Sequence, residues 1–301
     1  MIHISYSEIV ISLVYVLMGI HLFIAFFTSE KQWYVYFQKI SVLIFTILMG
    51  MGLCLRWIES GHAPFSNMYE SMLLFVFSVI LVQMFLYLKN DRFCKAIDLN
   101  VFLLVFLGYA LALPPVSWLI NMGNLITGKL FSRNWIVYPD KLPERLNPIL
   151  DTIWFQIHVP LFFIGFSFLA VGSFLSYRYL INSYHESTES NAIDYFKSSY
   201  YLNQIGFLFI TAGLVSGAYW AKIAWTRYWN WDPKETWSLI LWLIYAFYFH
   251  LEKTKLGAPK RMAYISVLGL IIILLCYLGV NVIFPQFTGK DMGLHSYGVI
   301  K

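Results

Sequence analysis

Long apolar runs separated by short polar connections dominate the chain. Eight are legible, at residues 8–27, 37–58, 68–89, 98–119, 152–180, 201–219, 236–251 and 262–284. A helix needs roughly 20 mainly apolar residues to cross a bilayer, and most of these runs approach that length. The fifth is long for one span. Its first residues, 152–156, are expected to lie in the interface or to belong to a preceding helix starting at Pro148. The pattern predicts an all-α integral membrane protein, a polytopic bundle of about eight transmembrane helices forming a single membrane domain over residues 1–301. No internal repeat or low-complexity linker interrupts it.

Lysine and arginine in the short connections predict the orientation. Lys31 and Lys39 follow the first run, Lys89, Arg92 and Lys95 the third, and Lys253, Lys255, Lys260 and Arg261 the seventh. The connection after the second run carries only Glu59 and His62, with Arg56 just inside. Odd-numbered connections are therefore expected on the cytoplasmic or stromal side, and even-numbered ones and both termini outside. The connection at 120–151, with Lys129, Arg133, Lys141 and Arg145, runs against this order, although Asp140, Glu144 and Asp151 accompany those charges.

Composition agrees with the membrane reading. The chain is 59% hydrophobic and 12% charged, against about 25% charged in soluble domains. Its net charge of +5 is scattered among the connections without a basic helix face, so it reads as topology and not as nucleic-acid binding. The three cysteines, Cys54, Cys94 and Cys276, form no CxxC, which leaves a thiol-redox or zinc site without support. The chain has no CxxCH and is not itself a c-type cytochrome. The N-terminus lacks a charged region and a small-residue cleavage site, so its first run is expected to be retained as a membrane helix.

One connection is unlike the rest. Residues 220–242 read WAKIAWTRYWNWDPKETWSLILW and hold Trp220, Trp225, Trp229, Trp231, Trp237 and Trp242, six of the 11 tryptophans. An interfacial belt spreads its rings over many helix ends, whereas these crowd one connection. The density suggests a flat aromatic platform for a large planar ligand. Asp232 is expected to cap a helix, with Pro233 in its first position and Glu235 closing a capping box. By parity this connection lies outside, as do His158 in IHVP and His295 in GLHSYG.

The run WNWDPKETW at 229–237 resembles the tryptophan-rich WWD signature of haem-handling proteins, and its DPKETW form resembles the CcsA/ResC branch of System II cytochrome c synthesis proteins. GHAPFSNMYES at 61–71 is similar to another hallmark of that family, and GLHSYG at 293–298 completes three motifs in the family's order. One departure is visible: where the family has glycine in AWGxYW, this chain has Thr226 followed by Arg227.

The resemblance implies an extracytoplasmic haem site on the segment 220–237, with His158 and His295 as iron ligands around Trp225, Trp229, Trp231, Trp237 and Asp232. It also implies a second haem site in the bilayer at His250, with a partner ligand supplied by a CcsB/ResB-type membrane protein. His21 is an in-chain alternative for that ligand. Neutral imidazoles suit haem iron, tryptophan faces suit the macrocycle, and cations suit the propionates. Arg56, Lys222, Arg227 and Lys234 are candidate cations, Arg227 being within the platform. His62 and Glu70 are candidates to steer a propionate or an apocytochrome, or else hold the loop in shape.

The implied function is export and presentation of haem b, a non-covalently held transported substrate, and its covalent attachment to the CxxCH of apocytochromes c. The chain is then the haem-binding component of a haem lyase complex in a bacterial plasma membrane or a thylakoid. The competing reading is a b-type haem subunit that transfers electrons, which needs paired histidines within the bilayer. A small-solute transporter would show broken helices and inverted repeats, and neither is evident. His21 also reads as a helix-packing group.

Overall fold

The computed structural model describes residues 6–28, 33–89, 146, 148–184, 189–254 and 257–283. The fourth apolar run, at 98–119, lies outside them, as does His295. Seven α-helices are described: α1 Tyr6–Thr28, α2 Trp33–Ser60, α3 Met68–Lys89, α4 Ile153–Tyr184, α5 Glu189–Trp225, α6 Pro233–Glu252 and α7 Pro259–Leu274. A π-helical segment, Leu275–Ile283, continues α7. Six described stretches are long and apolar enough to cross a membrane, and they fall in α1 to α5 and in α7 with its extension. The apolar part of α6 is shorter, bounded by Lys234 and Glu235 at one end and Glu252 at the other.

The chain folds as two compact units, one built on α1–α3 and the other on α4–α7. In the first, α2 packs against both α1 and α3. Ile11, Val14, Met18 and Ala25 line the buried face of α1, while Ile9, Leu13, Val16, Ile20 and Phe23 point outward. Apolar residues on both faces are what lipid requires and water forbids. His21 is buried here, stacked on Phe37 at 5.0 Å and 7°, with Phe45 edge-on at 5.7 Å.

The α2–α3 connection is tightly built. Gly61, at φ +72, ends α2 and donates its N–H to the Trp57 carbonyl at 2.9 Å. Asn67 caps α3 by accepting from the Glu70 N–H at 2.9 Å. The Glu70 carboxylate accepts from the Ser66 N–H at 3.0 Å and from its hydroxyl at 2.9 Å. Arg56 Nε donates to the same carboxylate at 3.0 Å, and the two side chains are only 1% and 0% exposed. The linear pattern offers Arg56 to a ligand's anionic edge. The fold uses it otherwise, because a buried carboxylate needs a charge-assisted partner.

In the second unit α4 packs along α5 and α7, and α6 packs on α7 and α5. Pro148–Leu150 form a turn, and Thr152 caps a helix that begins at Ile153, accepting from the Phe155 N–H at 3.2 Å. No helix runs through Pro148 into α4, so the long fifth run is one helix with Pro160 inside it. The helix of the sixth apolar run is longer than that run. α5 extends upstream into the mixed polar sequence from Glu189 and downstream to Trp225.

Glycines set the α4–α5 seam. A Cβ on Gly165 would meet Ile210 at 2.9 Å, on Gly206 Leu169 at 2.7 Å, and on Gly213 Phe162 at 2.9 Å. Gly172 faces Asn203, and Gly217 faces His158, still more closely. All five pairs belong to one antiparallel register, a step forward along α4 matching an equal step back along α5. Small residues allow such close approach inside a bilayer.

Candidate functional site

The Trp-rich connection is held by its two helix ends. α5 stops at Trp225, and the next residue, Thr226, adopts φ +64. A left-handed residue commonly ends a helix, and it is usually glycine. This is the position where the resembling family carries glycine. Lys222 Nζ donates to the Thr226 carbonyl at 2.9 Å and lies 5.6 Å from the Tyr228 ring centre. Trp231 also has positive φ, +56.

The expected cap on α6 is present in full. Asp232 is the N-cap, Pro233 opens the helix, and a capping box joins Asp232 and Glu235. Asp232 Oδ1 accepts from the Lys234 N–H at 2.9 Å. The Glu235 carboxylate accepts from the Asp232 N–H at 3.3 Å and, beyond the box, from the Asn230 N–H at 2.7 Å. One buried carboxylate thus fixes the backbone on both sides of Trp231. Burial also lowers the Lys234 ammonium to about 8 from its ordinary 10.5.

The tryptophans do not make one flat surface. Trp220 and Trp225 meet at 4.8 Å and 68°, and Trp229 and Trp231 at 5.9 Å and 85°. Edge-to-face contact suits the ring quadrupole better than coplanar stacking. Trp220 is buried and donates to the Ile149 carbonyl at 3.3 Å. Trp229 and Trp237 are half-buried, Trp231 is 70% exposed, and Arg227 is exposed.

His158 is braced by α5. Its Nδ1 lies 2.9 Å from the carbonyl oxygen of Gly213. A carbonyl only accepts, so Nδ1 carries the proton, and in the neutral ring the lone pair is on Nε2. That is the tautomer a metal-ligating histidine needs. The imidazole stacks on Trp220 at 5.9 Å and 24°, meets Phe162 edge-on at 5.0 Å, and packs on Gly217. Sequence reading alone does not single out Gly213 and Gly217 as supports. Their GxxxG spacing is a helix-packing signal that points to them.

His250 lies toward the other end of α6. It is seventeen positions beyond Pro233, about 26 Å of helix at 1.5 Å per residue. It is exposed and lines an open groove of about 670 Å³ between α5 and α6, together with Phe207, Phe249, Tyr200, Glu252 and Lys253. That volume is in the range of small-molecule and cofactor sites. The Tyr200 hydroxyl donates to Glu252 Oε2 at 2.6 Å. Phe207 packs on Phe249 at 5.3 Å and stacks on Trp242 at 5.5 Å, and Trp242 donates to Thr211 Oγ1 at 3.0 Å. The groove therefore offers an aromatic wall, an imidazole and a cation.

His62 is half-buried in the α2–α3 connection, with Nδ1 3.1 Å from the Ala63 carbonyl oxygen and Ser60 Oγ donating to its own carbonyl at 2.9 Å. Among the described residues, no group of three or more His, Cys, Asp and Glu side chains could hold a metal ion.

A polytopic α-helical membrane protein emerges, with histidines presented near both ends of α5 and tryptophans massed at one connection. The chain belongs to the cytochrome C assembly protein family, whose model matches residues 65–287. It is 35% identical to the cytochrome c biogenesis protein CcsA of Chlamydomonas reinhardtii, over 86% of this chain and 68% of that protein. It is 33% identical to the CcsA of Prochlorococcus marinus, over 95% and 92% of the two chains, and 30% identical to that of Pelargonium hortorum, over 98% and 95%. Its role is thus in cytochrome c maturation, a process that handles haem and apocytochrome.

Proposed function

We propose that this chain carries haem b as a transported substrate and presents it on the extracytoplasmic side for covalent attachment to CxxCH thiols of apocytochromes c, together with a CcsB/ResB-type partner. Haem is taken up in the groove at His250, where the aromatic wall suits the macrocycle and Lys253 suits a propionate. It is then held outside by His158 and His295, beside Trp225, Trp229, Trp231 and Trp237, with Arg227 available to the propionates. Attachment adds each thiol across a haem vinyl group, S to carbon and H to carbon, with no net oxidation. The chain's contribution is orientation and shielding, and the bond chemistry belongs to thiol and vinyl. The membrane is a bacterial plasma membrane or a thylakoid, and the latter reading draws on the algal and plant relatives.

The observation that supports this reading is the Nδ1 bond of His158 to Gly213, which leaves the lone pair of the neutral ring on Nε2, the form that can ligate iron. The test is the absorption spectrum of detergent-purified protein, co-expressed with a ResB-type partner, against His158→Ala/His295→Ala. A six-coordinate low-spin haem spectrum in the wild type that is lost or becomes high-spin in the variant supports the outer site. A full low-spin spectrum in the variant removes it.

A further inference from the structure

The groove at His250 carries one group that works against the ligand proposed for it. Glu252 is the one carboxylate among its described lining residues, beside His250 and Lys253. It is also the last residue of α6. A helix C-terminus bears partial negative charge and disfavours a further anion there. Helix stability therefore gives no reason for this carboxylate, and an anionic ligand is repelled by it.

The carboxylate is held aside. The hydroxyl of Tyr200, on the α5 wall, donates to Glu252 Oε2 at 2.6 Å. A hydrogen bond to an ionised acceptor is among the stronger kinds. The Tyr200 ring is itself braced. It stacks on Tyr248 at 6.1 Å and 30°, and meets Phe249 edge-on at 5.7 Å and 75°. Tyr248 is fully buried and packs on Tyr245 at 5.9 Å, so the brace reaches into the core. Neighbouring positions along a helix do not face each other. With Glu252 tied to α5, Lys253 stays available, and among the described residues it makes no ion pair.

We propose that Tyr200 is a specificity-determining residue of the groove. By fixing Glu252 against α5 it keeps the one described lining carboxylate off Lys253 and His250, so that the groove accepts a planar ligand with an anionic edge. The inference rests on the reading of the groove as a haem site, and adds what selects the charged form of the porphyrin. Without the phenol hydroxyl, Glu252 turns toward Lys253 and competes with a propionate for it. An exposed ion pair is weak, so this competition lowers affinity severalfold, up to about fivefold.

A pair of porphyrins separates charge from shape. Haem b carries ionised propionates, and its dimethyl ester has the same macrocycle without their charge. Each is titrated by its absorption spectrum into the full chain in lipid nanodiscs, in a His158→Ala/His295→Ala background that removes the proposed outer ligands. There, His250→Ala is expected to abolish haem binding. Haem bound at full affinity by that variant removes the groove reading, and this inference with it. Tyr200→Phe is expected to weaken haem severalfold while the dimethyl ester keeps its affinity, and adding Glu252→Gln is expected to restore haem. Equal loss of both porphyrins makes Tyr200 a wall residue only and overturns the proposal. So does unchanged haem affinity in Tyr200→Phe, or a loss that Glu252→Gln fails to restore.

Discussion

His158 and Gly213 are 55 positions apart, yet the imidazole Nδ1 sits 2.9 Å from the glycine's carbonyl oxygen. The bond exists only because the α4–α5 seam brings the two backbones close. Gly217, one turn further along α5, lies directly under the ring. Gly217→Ala is therefore expected to displace His158 and lower haem retention at the proposed outer site. Gly206→Ala, which crowds Leu169 on the same seam, is the control for general loosening. Haem spectra of the two purified variants check this. Equal losses in both would mean that the ring's support is not specific to Gly217.

Thr226 holds a left-handed conformation that costs a β-branched residue about 1–2 kcal/mol. Thr226→Gly removes that cost but adds about 0.4–1 kcal/mol of unfolded-state entropy. The net expectation is a modest gain, read as a small rise in melting temperature. Thr226→Val, which keeps the branch and loses the hydroxyl, is not expected to share it.

The Arg56–Glu70 pair makes a different kind of prediction. Removing one partner strands a buried charge, at a cost of about 3–5 kcal/mol. Arg56→Met and Glu70→Gln should each strongly lower the melting temperature. The double variant should lose less than the sum of the two, and a double-variant cycle that adds up would show the charges to be independent.

Lys234 gives a pH dependence with a definite sign. Its folded value of about 8 lies below the ordinary 10.5, so between those limits the unfolded chain binds more protons. Stability from this group therefore rises as pH rises from 8 to 10.5. Lys234→Met lacks the charge, so it is expected to melt higher than wild type near pH 7.5, with the gap narrowing toward pH 10. A gap that does not change with pH would remove the buried ammonium as its cause.

Local signals are legible in the sequence, and distant ones are not. Asp232, Pro233 and Glu235 cap α6 as their spacing predicts, because a capping box is complete within four residues. The third apolar run and α3 share both boundaries, since Asn67 and Glu70 mark the start. The apolar pattern understates α5 because its upstream turns carry Asp194, Lys197 and several serines, which conceal a helix from an apolar-run reading. Arg56 reads as a ligand cation because nothing in a linear pattern shows Glu70 folding back onto it. The tryptophan cluster is legible as a cluster, but its edge-to-face geometry depends on how Thr226 and Trp231 turn the backbone.

The common register of the α4–α5 seam also bears on the order of assembly. The residues named above as bracing His158, from Phe162 to Trp220, precede α6 in the chain. During synthesis the helical hairpin of α4 and α5 can close before α6 is made. The hydrogen bond and ring contacts given above for His158 draw on α4 and α5 alone.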